Sequence, residues 1–232
     1  QIEKSIRKKQ FLSMIKNKIT AVFVSKYLDS ITSNLYFFNE RLIINNFLLA
    51  EFNFKKFIIR KREPVFVWSV QRSKGLNDTI KMWIENINSV HPEAKFYILG
   101  LDKLPNKLKS KYLKSKSIFH LGRVSKKKLR SIYCRSTAMI CLGYDETFCL
   151  NALEANSCGL PVISFGKTAL NDLIKNNYNG FIVNNFIDIS EKIKFLLKMN
   201  NKKRQKLTNN SIQYSKQFSI NNIIYKWLNV LK

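Results

Sequence analysis

Residues 136–165 read STAMICLGYDETFCLNALEANSCGLPVISF, and the order of residue types within them decides the fold. The segment STAMICL, 136–142, is a short apolar run without helical periodicity, the mark of a buried strand. Gly143, Tyr144 and Asp145 break it. From about Phe148 the pattern Phe-Cys-Leu-x-Ala-Leu-x-Ala joins good helix formers to apolar residues on nearly every side, so a buried helix follows. Gly159 suits the left-handed residue that ends a helix, and Pro161 prevents continuation. Pro161 to Phe165 then supplies a β-branched strand. Strand, loop, helix, strand is a crossover unit, which implies parallel pairing. Open parallel sheets bind ligands beyond the carboxyl ends of their strands.

Glu146 lies in that loop, and Glu154 sits between one and two turns into the helix. The N–H groups of Thr147, Phe148, Cys149 and Leu150 are expected to lack helical partners, and the helix dipole adds partial positive charge there. A diphosphate is the natural guest of such a place. If most of the step between the glutamates is helical, their carboxylates stand roughly 10 Å apart. That exceeds the about 5–9.5 Å of a glycoside hydrolase pair. It suits one carboxylate on a sugar, the other on a ribose and phosphates between. Taken alone the two glutamates are weak evidence, because acidic residues near a helix start and inside helices are ordinary.

The string E-T-F-x-L-x-x-x-E-A-x-x-x-G-x-P-V resembles the donor-site signature of retaining glycosyltransferases of the GT-B fold, glycosyltransferase family 4, or "group 1". Three further segments resemble the same family in order and spacing. KGLNDTIKMWIENINSVHPEAKFYILG (74–100) is similar to its Lys-Gly entry, Trp-bearing helix and following strand. IFHLGRVSKKKLRSIYCRSTAMICL (118–142) and NNYNGFIV (176–183) are similar to later stretches. The resemblance covers roughly residues 20 to 232 and implies a Rossmann-like doubly wound parallel sheet, the second domain of a GT-B fold, with a partial N-terminal domain.

Carried over by motif position, the resemblance implies that Glu146 contacts donor-sugar hydroxyls and Glu154 holds the ribose. It also implies that Lys74 neutralises the departing diphosphate. The backbone of Phe148, Cys149 and Leu150 would bind sugar and phosphate oxygens, with Gly122, Arg123 and Val124 near the base. Two positions depart from the pattern. Cys149 stands where the family usually has Gly, and its side chain either crowds the diphosphate or points into the core. Ser69 stands where many members have Arg; either Arg72 substitutes or the subgroup does without it. Arg123 precedes Lys126, Lys127 and Lys128, which read as a solvated basic turn.

The 232 residues carry 41 Lys and Arg against 15 Asp and Glu, a formal charge of +26. Such an excess suits acidic partners. The lysines are scattered, however, and the heavy use of Lys, Asn and Ile is what AT-rich codons would produce. No apolar run approaches the roughly 18 residues that span a bilayer, and no signal peptide is read in the opening residues, which lack the required apolar stretch. The four cysteines form no C-x-x-C pair, and Cys141 and Cys158 read as small buried hydrophobes in a reducing compartment. Nothing in the sequence requires a metal or cofactor beyond the nucleotide-sugar co-substrate. A cytoplasmic place is expected, with peripheral contact at the inner membrane face because family members often act on lipid-linked acceptors.

Three divisions are expected: 1–50, the end of an N-terminal Rossmann-like domain and linker; 51–215, the nucleotide-sugar domain; and 216–232, a helix packing back towards the first. Residues 1–17 read as a basic helix, 20–24 and 41–45 as strands, and Ser25 as the cap of a helix running to about Phe38. Further strands are expected at 65–70, 95–100, 117–121, 136–142, 161–165 and 181–183, and late helices near 187–199, 201–217 and 219–231. A complete enzyme of this family has two such domains, so a fragment of a longer protein, a truncated gene product, or a half that pairs with another chain is expected. The acceptor (glycan, lipid-linked or protein) is not identified. A non-catalytic nucleotide-sugar-binding domain is the second reading. A basic nucleic-acid-binding module ranks last, since no recognition motif for nucleic acid is present.

Overall fold

The computed structural model describes residues 20–33, 38–52, 62–69, 75–104, 106, 108, 115–143 and 146–231. The helix expected over 1–17 lies outside them. Among the described residues there are two parallel sheets. The smaller pairs β1 (Thr20–Phe23) with β2 (Glu40–Ile43), joined through the helix Lys26–Thr32. Ser25 caps that helix as its sequence implies, accepting from the Leu28 amide. The helix stops well before Phe38. Thr32 and Ser33 turn their hydroxyls back onto carbonyls of Leu28, Asp29 and Ser30, a competition that commonly ends helices.

The larger sheet contains β3 (Val65–Ser69), β4 (Lys95–Leu99), β5 (Ile118–Gly122), β6 (Ala138–Ile140), β7 (Val162–Ser164) and β8 (Gly180–Ile182). All pairs are parallel, in the order β5-β4-β3-β6-β7-β8. The chain moves outward from β3 in one direction, returns to β6 beside it, and then moves outward in the other. This is an α/β fold with a parallel, doubly wound sheet, and its strand order reverses between β3 and β6. A crevice forms at that reversal, because the connections leaving the two strands go to opposite sides. Every strand expected from sequence is there, with ends within a few residues, as assignments of element boundaries vary.

Burial on both faces explains the apolar strands. All five residues of β3 are buried, as are all three of β6 and of β7. The Trp-bearing helix Leu76–Asn86 lays Leu76, Ile80 and Trp83 on one flank of the sheet. Trp83 stacks on Phe96 at 5.1 Å, and its indole N–H donates to Ser117, so the buried ring leaves no orphaned donor. The helix enters through Gly75 at φ 78, a conformation that glycine adopts without a Cβ clash.

The helix Leu150–Ser157 runs from the β3–β6 reversal to Gly159, at φ 69, and the Leu160 amide bonds back to Ala155. This is the glycine stop read from the sequence. A residue far away in sequence seals it. Arg62 donates through Nη2 to the carbonyls of Cys158 and Gly159, and through Nη1 to those of Tyr133 and Ser136. One guanidinium thus caps the carboxyl ends of two helices, 126–135 and 150–157, where the dipole favours a cation.

Candidate donor site

The site grows from the end of β6. Gly143 has no Cβ, and one built there would collide with Glu146 Cγ and lie 2.9 Å from its Oε1. The glycine therefore lets Glu146 fold back over the strand end. The main chain of Glu146 is fixed as well, since its carbonyl accepts from the Ala169 amide at 3.1 Å. Thr147 is held from outside the larger sheet: the buried hydroxyl of Ser25 donates to its carbonyl at 2.6 Å. The Tyr27 amide next to it is met by Asp172 at 3.2 Å. The smaller sheet is thereby stitched onto the glutamate loop.

The helix begins at Leu150, two residues later than expected, and the reason is Cys149. Its backbone is left-handed, φ 70 and ψ 72. A non-glycine residue there carries strain of roughly 1–2 kcal/mol. That conformation is the physical content of a glycine preference at this position. The Cys149 thiol is buried, 3.5 Å from the Cys141 sulfur, so the side chain turns into the core and away from the helix start. The Cys149 carbonyl accepts from Ala152 and Leu153, which leaves the amides of Cys149 and Leu150 ahead of the first closed turn. Phe148 plays another part: its ring is buried edge-on against Phe218, at 5.8 Å. Across the reversal, Asn151 donates to the Ser69 carbonyl at the end of β3.

Glu154 is buried on helix 150–157. It is 2% exposed, and its Oε1 meets Lys126 Nζ at 2.7 Å. Its Oε2 is buried with no hydrogen-bond partner among the described residues. Burial pushes the Glu154 carboxyl up from the usual value, Lys126 opposes that, and Glu51 adds to it. Lys126 is exposed as its sequence implies, but it stands in a helix rather than a turn. It opens the helix Lys126–Arg135 and also lies 5.3 Å from the centre of the Phe52 ring. Sequence reasoning missed Lys126, Phe52 and Ser25, because their value arises from contacts between segments 28 to 122 residues apart.

Gly122, Arg123 and Val124 stand at the end of β5, with Gly122 at φ 64 and Val124 packed against the core. Arg123 is exposed and pairs with Asp102 at 3.0 Å, a surface ion pair of little energetic weight. This turn leads straight into Lys126, so it flanks the segment that reaches Glu154. Lys74 and Arg72 lie outside the described residues.

Residues 50–214 match the family model described as "Glycosyl transferases group 1". The chain belongs to this family. A curated relative, an uncharacterized glycosyltransferase of Methanocaldococcus jannaschii, is 28% identical over 160 residues, 67% of this chain and 43% of its own length. Another is the N,N'-diacetylbacillosaminyl-diphospho-undecaprenol alpha-1,3-N-acetylgalactosaminyltransferase of Campylobacter jejuni. It is 26% identical over 152 residues, 64% of this chain and 40% of that protein. The chain therefore spans less than half the length of these two relatives. Among solved structures, a glycosyltransferase from Rickettsia africae matches 96% of this chain and 65% of its own, with TM-score 0.80 and 17% identity. A variant of S. aureus TarM in complex with fondaparinux, alpha-GlcNAc-glycerol and UDP matches 96% and 46%, with TM-score 0.76 and 20% identity. At such identities the structural likeness speaks for the GT-B fold alone. Among the described residues of this group 1 chain, no helix is long and apolar enough to cross a membrane.

Proposed function

We propose that this chain is the donor-binding half of a retaining glycosyltransferase that takes a sugar from a nucleoside diphosphate. The observation that carries the reading is the placement of Gly143 and of residues 146–149. It sets Glu146 over the end of β6 and opens the amino end of helix 150–157 at the strand-order reversal, with Glu154 on that same helix. In this reading Glu154 holds the ribose, the amides of Cys149 and Leu150 face the diphosphate, and Glu146 faces sugar hydroxyls. Lys74 neutralises the leaving group, and Gly122 to Val124 border the base. The division at 1–50, 51–215 and 216–232 belongs to the same proposal.

The chemistry follows from charge. As the bond from the anomeric carbon to the diphosphate oxygen breaks, negative charge grows on that oxygen. Fixed amides and a lysine stabilise it without reorganising. The departing oxygen then takes the proton of the acceptor hydroxyl as that hydroxyl attacks the same face, so configuration is retained. The relative named for a diphospho-undecaprenol acceptor makes a lipid-linked acceptor reasonable here. A binding-only domain is less well supported, because Cys149 adopts the left-handed backbone and turns its thiol inward, away from the helix start.

A thermal-shift panel of UDP-, GDP- and ADP-sugars tests the proposal on the full chain. One of them is expected to raise Tm by several degrees at about a hundred times its Kd, roughly 2.7 kcal/mol of linkage; no shift from any of them would count against it. Gly143→Ala gives a finer check. The added methyl pushes Glu146 aside, so affinity for the sugar nucleotide should fall about tenfold while that for the matching nucleoside diphosphate holds. Equal losses for both ligands in calorimetry would show that Glu146 is not read through the sugar.

A further inference from the structure

We infer that Lys126 is a positioning residue of the nucleotide site: its ammonium holds Glu154 Oε1 and leaves Oε2 to accept from a ribose hydroxyl. The inference rests on the donor-site reading above and adds to it a residue that the signature does not mark. Three observations carry it. First, Lys126 is the opening residue of helix 126–135, whose amino end repels cations, and no acidic residue in that first turn offsets the repulsion. Its partner is Glu154, on another helix. Second, Glu154 is 2% exposed, yet Oε2 has no partner among the described residues. Buried carboxylate oxygens are costly to leave unpaired, and an orphan of this kind points to a missing donor. Third, Lys126 is itself guided: it reaches over the Phe52 ring, and Phe52 packs against Tyr133 at 6.4 Å between ring centres.

The charges around Glu154 fix how it responds to pH. Lys126 favours the carboxylate. Burial and Glu51 from the turn Ala50–Phe52 disfavour it, while Tyr133 on helix 126–135 is held neutral by its own burial. Helix 201–215, packed on the other side, turns the uncharged Leu207, Thr208 and Ser211 inward. Lys126 is thus the one cation found to act on Glu154 among the described residues. Without it, the carboxylate holds its proton to higher pH and loses an acceptor for the ribose hydroxyl.

Calorimetry on the full chain decides the matter, with UDP, GDP and ADP as probes and inorganic diphosphate as the ribose-free control. Lys126→Met is expected to weaken the best nucleoside diphosphate about tenfold or more near pH 7. Its affinity should recover as pH rises, at higher pH than wild type needs, because the carboxyl has lost the cation that favours its charged form. Lys126→Arg should keep wild-type affinity and pH profile, and inorganic diphosphate should bind all three proteins alike. Wild-type affinity and pH profile in Lys126→Met would overturn the inference. So would an equal loss for inorganic diphosphate, which would put Lys126 on the phosphates. If wild type binds neither class of probe, the donor-site reading fails and takes this inference with it. If Lys126→Met does not fold, Lys126→Met/Glu154→Gln replaces it. The double variant should bind nucleoside diphosphate no more weakly than Glu154→Gln alone, and weaker binding than Glu154→Gln would overturn the inference.

Discussion

Replacing Arg62 with Met is expected to destabilise the fold by about 3–5 kcal/mol, a drop in Tm on the order of 10 °C or more for a chain of this size. The side chain is half-buried, and its fork meets four carbonyls at 2.7–3.1 Å. Those carbonyls close the helices 126–135 and 150–157, so removing the fork exposes two helix ends to an apolar replacement. Each orphaned acceptor costs about 1–3 kcal/mol, less where water can reach it. Burial pulls the guanidinium down to about 10, which leaves it charged wherever the fold is ordinarily measured. Geometry matters beyond charge. Lys presents a point charge where Arg presents a planar fork, so Arg62→Lys should recover only part of the loss. The neighbouring Gly159 belongs to the same device: a Cβ there would lie 3.0 Å from Arg62 Nη2 and closer still to Thr208. Chemical denaturation monitored by fluorescence checks this, and a loss under about 1 kcal/mol would show that water replaces the fork.

The second large effect has opposite signs in stability and in binding. Glu154→Gln is expected to raise Tm by a few degrees at neutral pH and to weaken nucleoside diphosphate binding about ten- to a hundredfold. The stability gain arises because a buried charge is replaced by a neutral group of the same shape. Lys126 loses its partner at little cost, since its side chain is 45% exposed and water can take over. Glu154 holds its proton more tightly when folded than when unfolded, being raised from 4.5 chiefly by burial. Wild-type stability contributed by this group is therefore complete below that value and declines as pH climbs through the raised folded value. The glutamine variant has no such proton. The Tm gap should widen as pH rises from about 4.5 and close below it. Thermal scans over pH, paired with calorimetry at one pH, test both halves. A variant that is less stable at every pH would mean the Lys126 contact outweighs the desolvation.

Much of this was legible in the residues. Gly159 and Pro161 announced the helix stop, the apolar runs announced strands buried on both faces, and the E-T-F to P-V string located the loop. These are local matters: a φ that only glycine takes easily, or a periodicity that suits one kind of surface. Helix 26–32 was read too long, because the hydroxyls of Thr32 and Ser33 favour a turn that apolar spacing does not display. The two-residue shift in the start of helix 150–157 was foreshadowed by the missing glycine at Cys149. The contents of the site were harder to see. Lys126 looked like one of three solvated lysines, and Ser25 like a helix cap and nothing else.

By itself, then, the sequence determined the α/β class, the sequence of strands and helices, the family and the place of the glutamate loop, since these follow from local propensity and short-range pattern. Only the tertiary structure decided which groups share that place. It put Lys126 on Glu154, Ser25 on Thr147 and Arg62 on two helix ends, and it turned the Cys149 thiol inward. Such pairings join segments many residues apart, and their energies depend on burial, which no run of neighbouring residues contains.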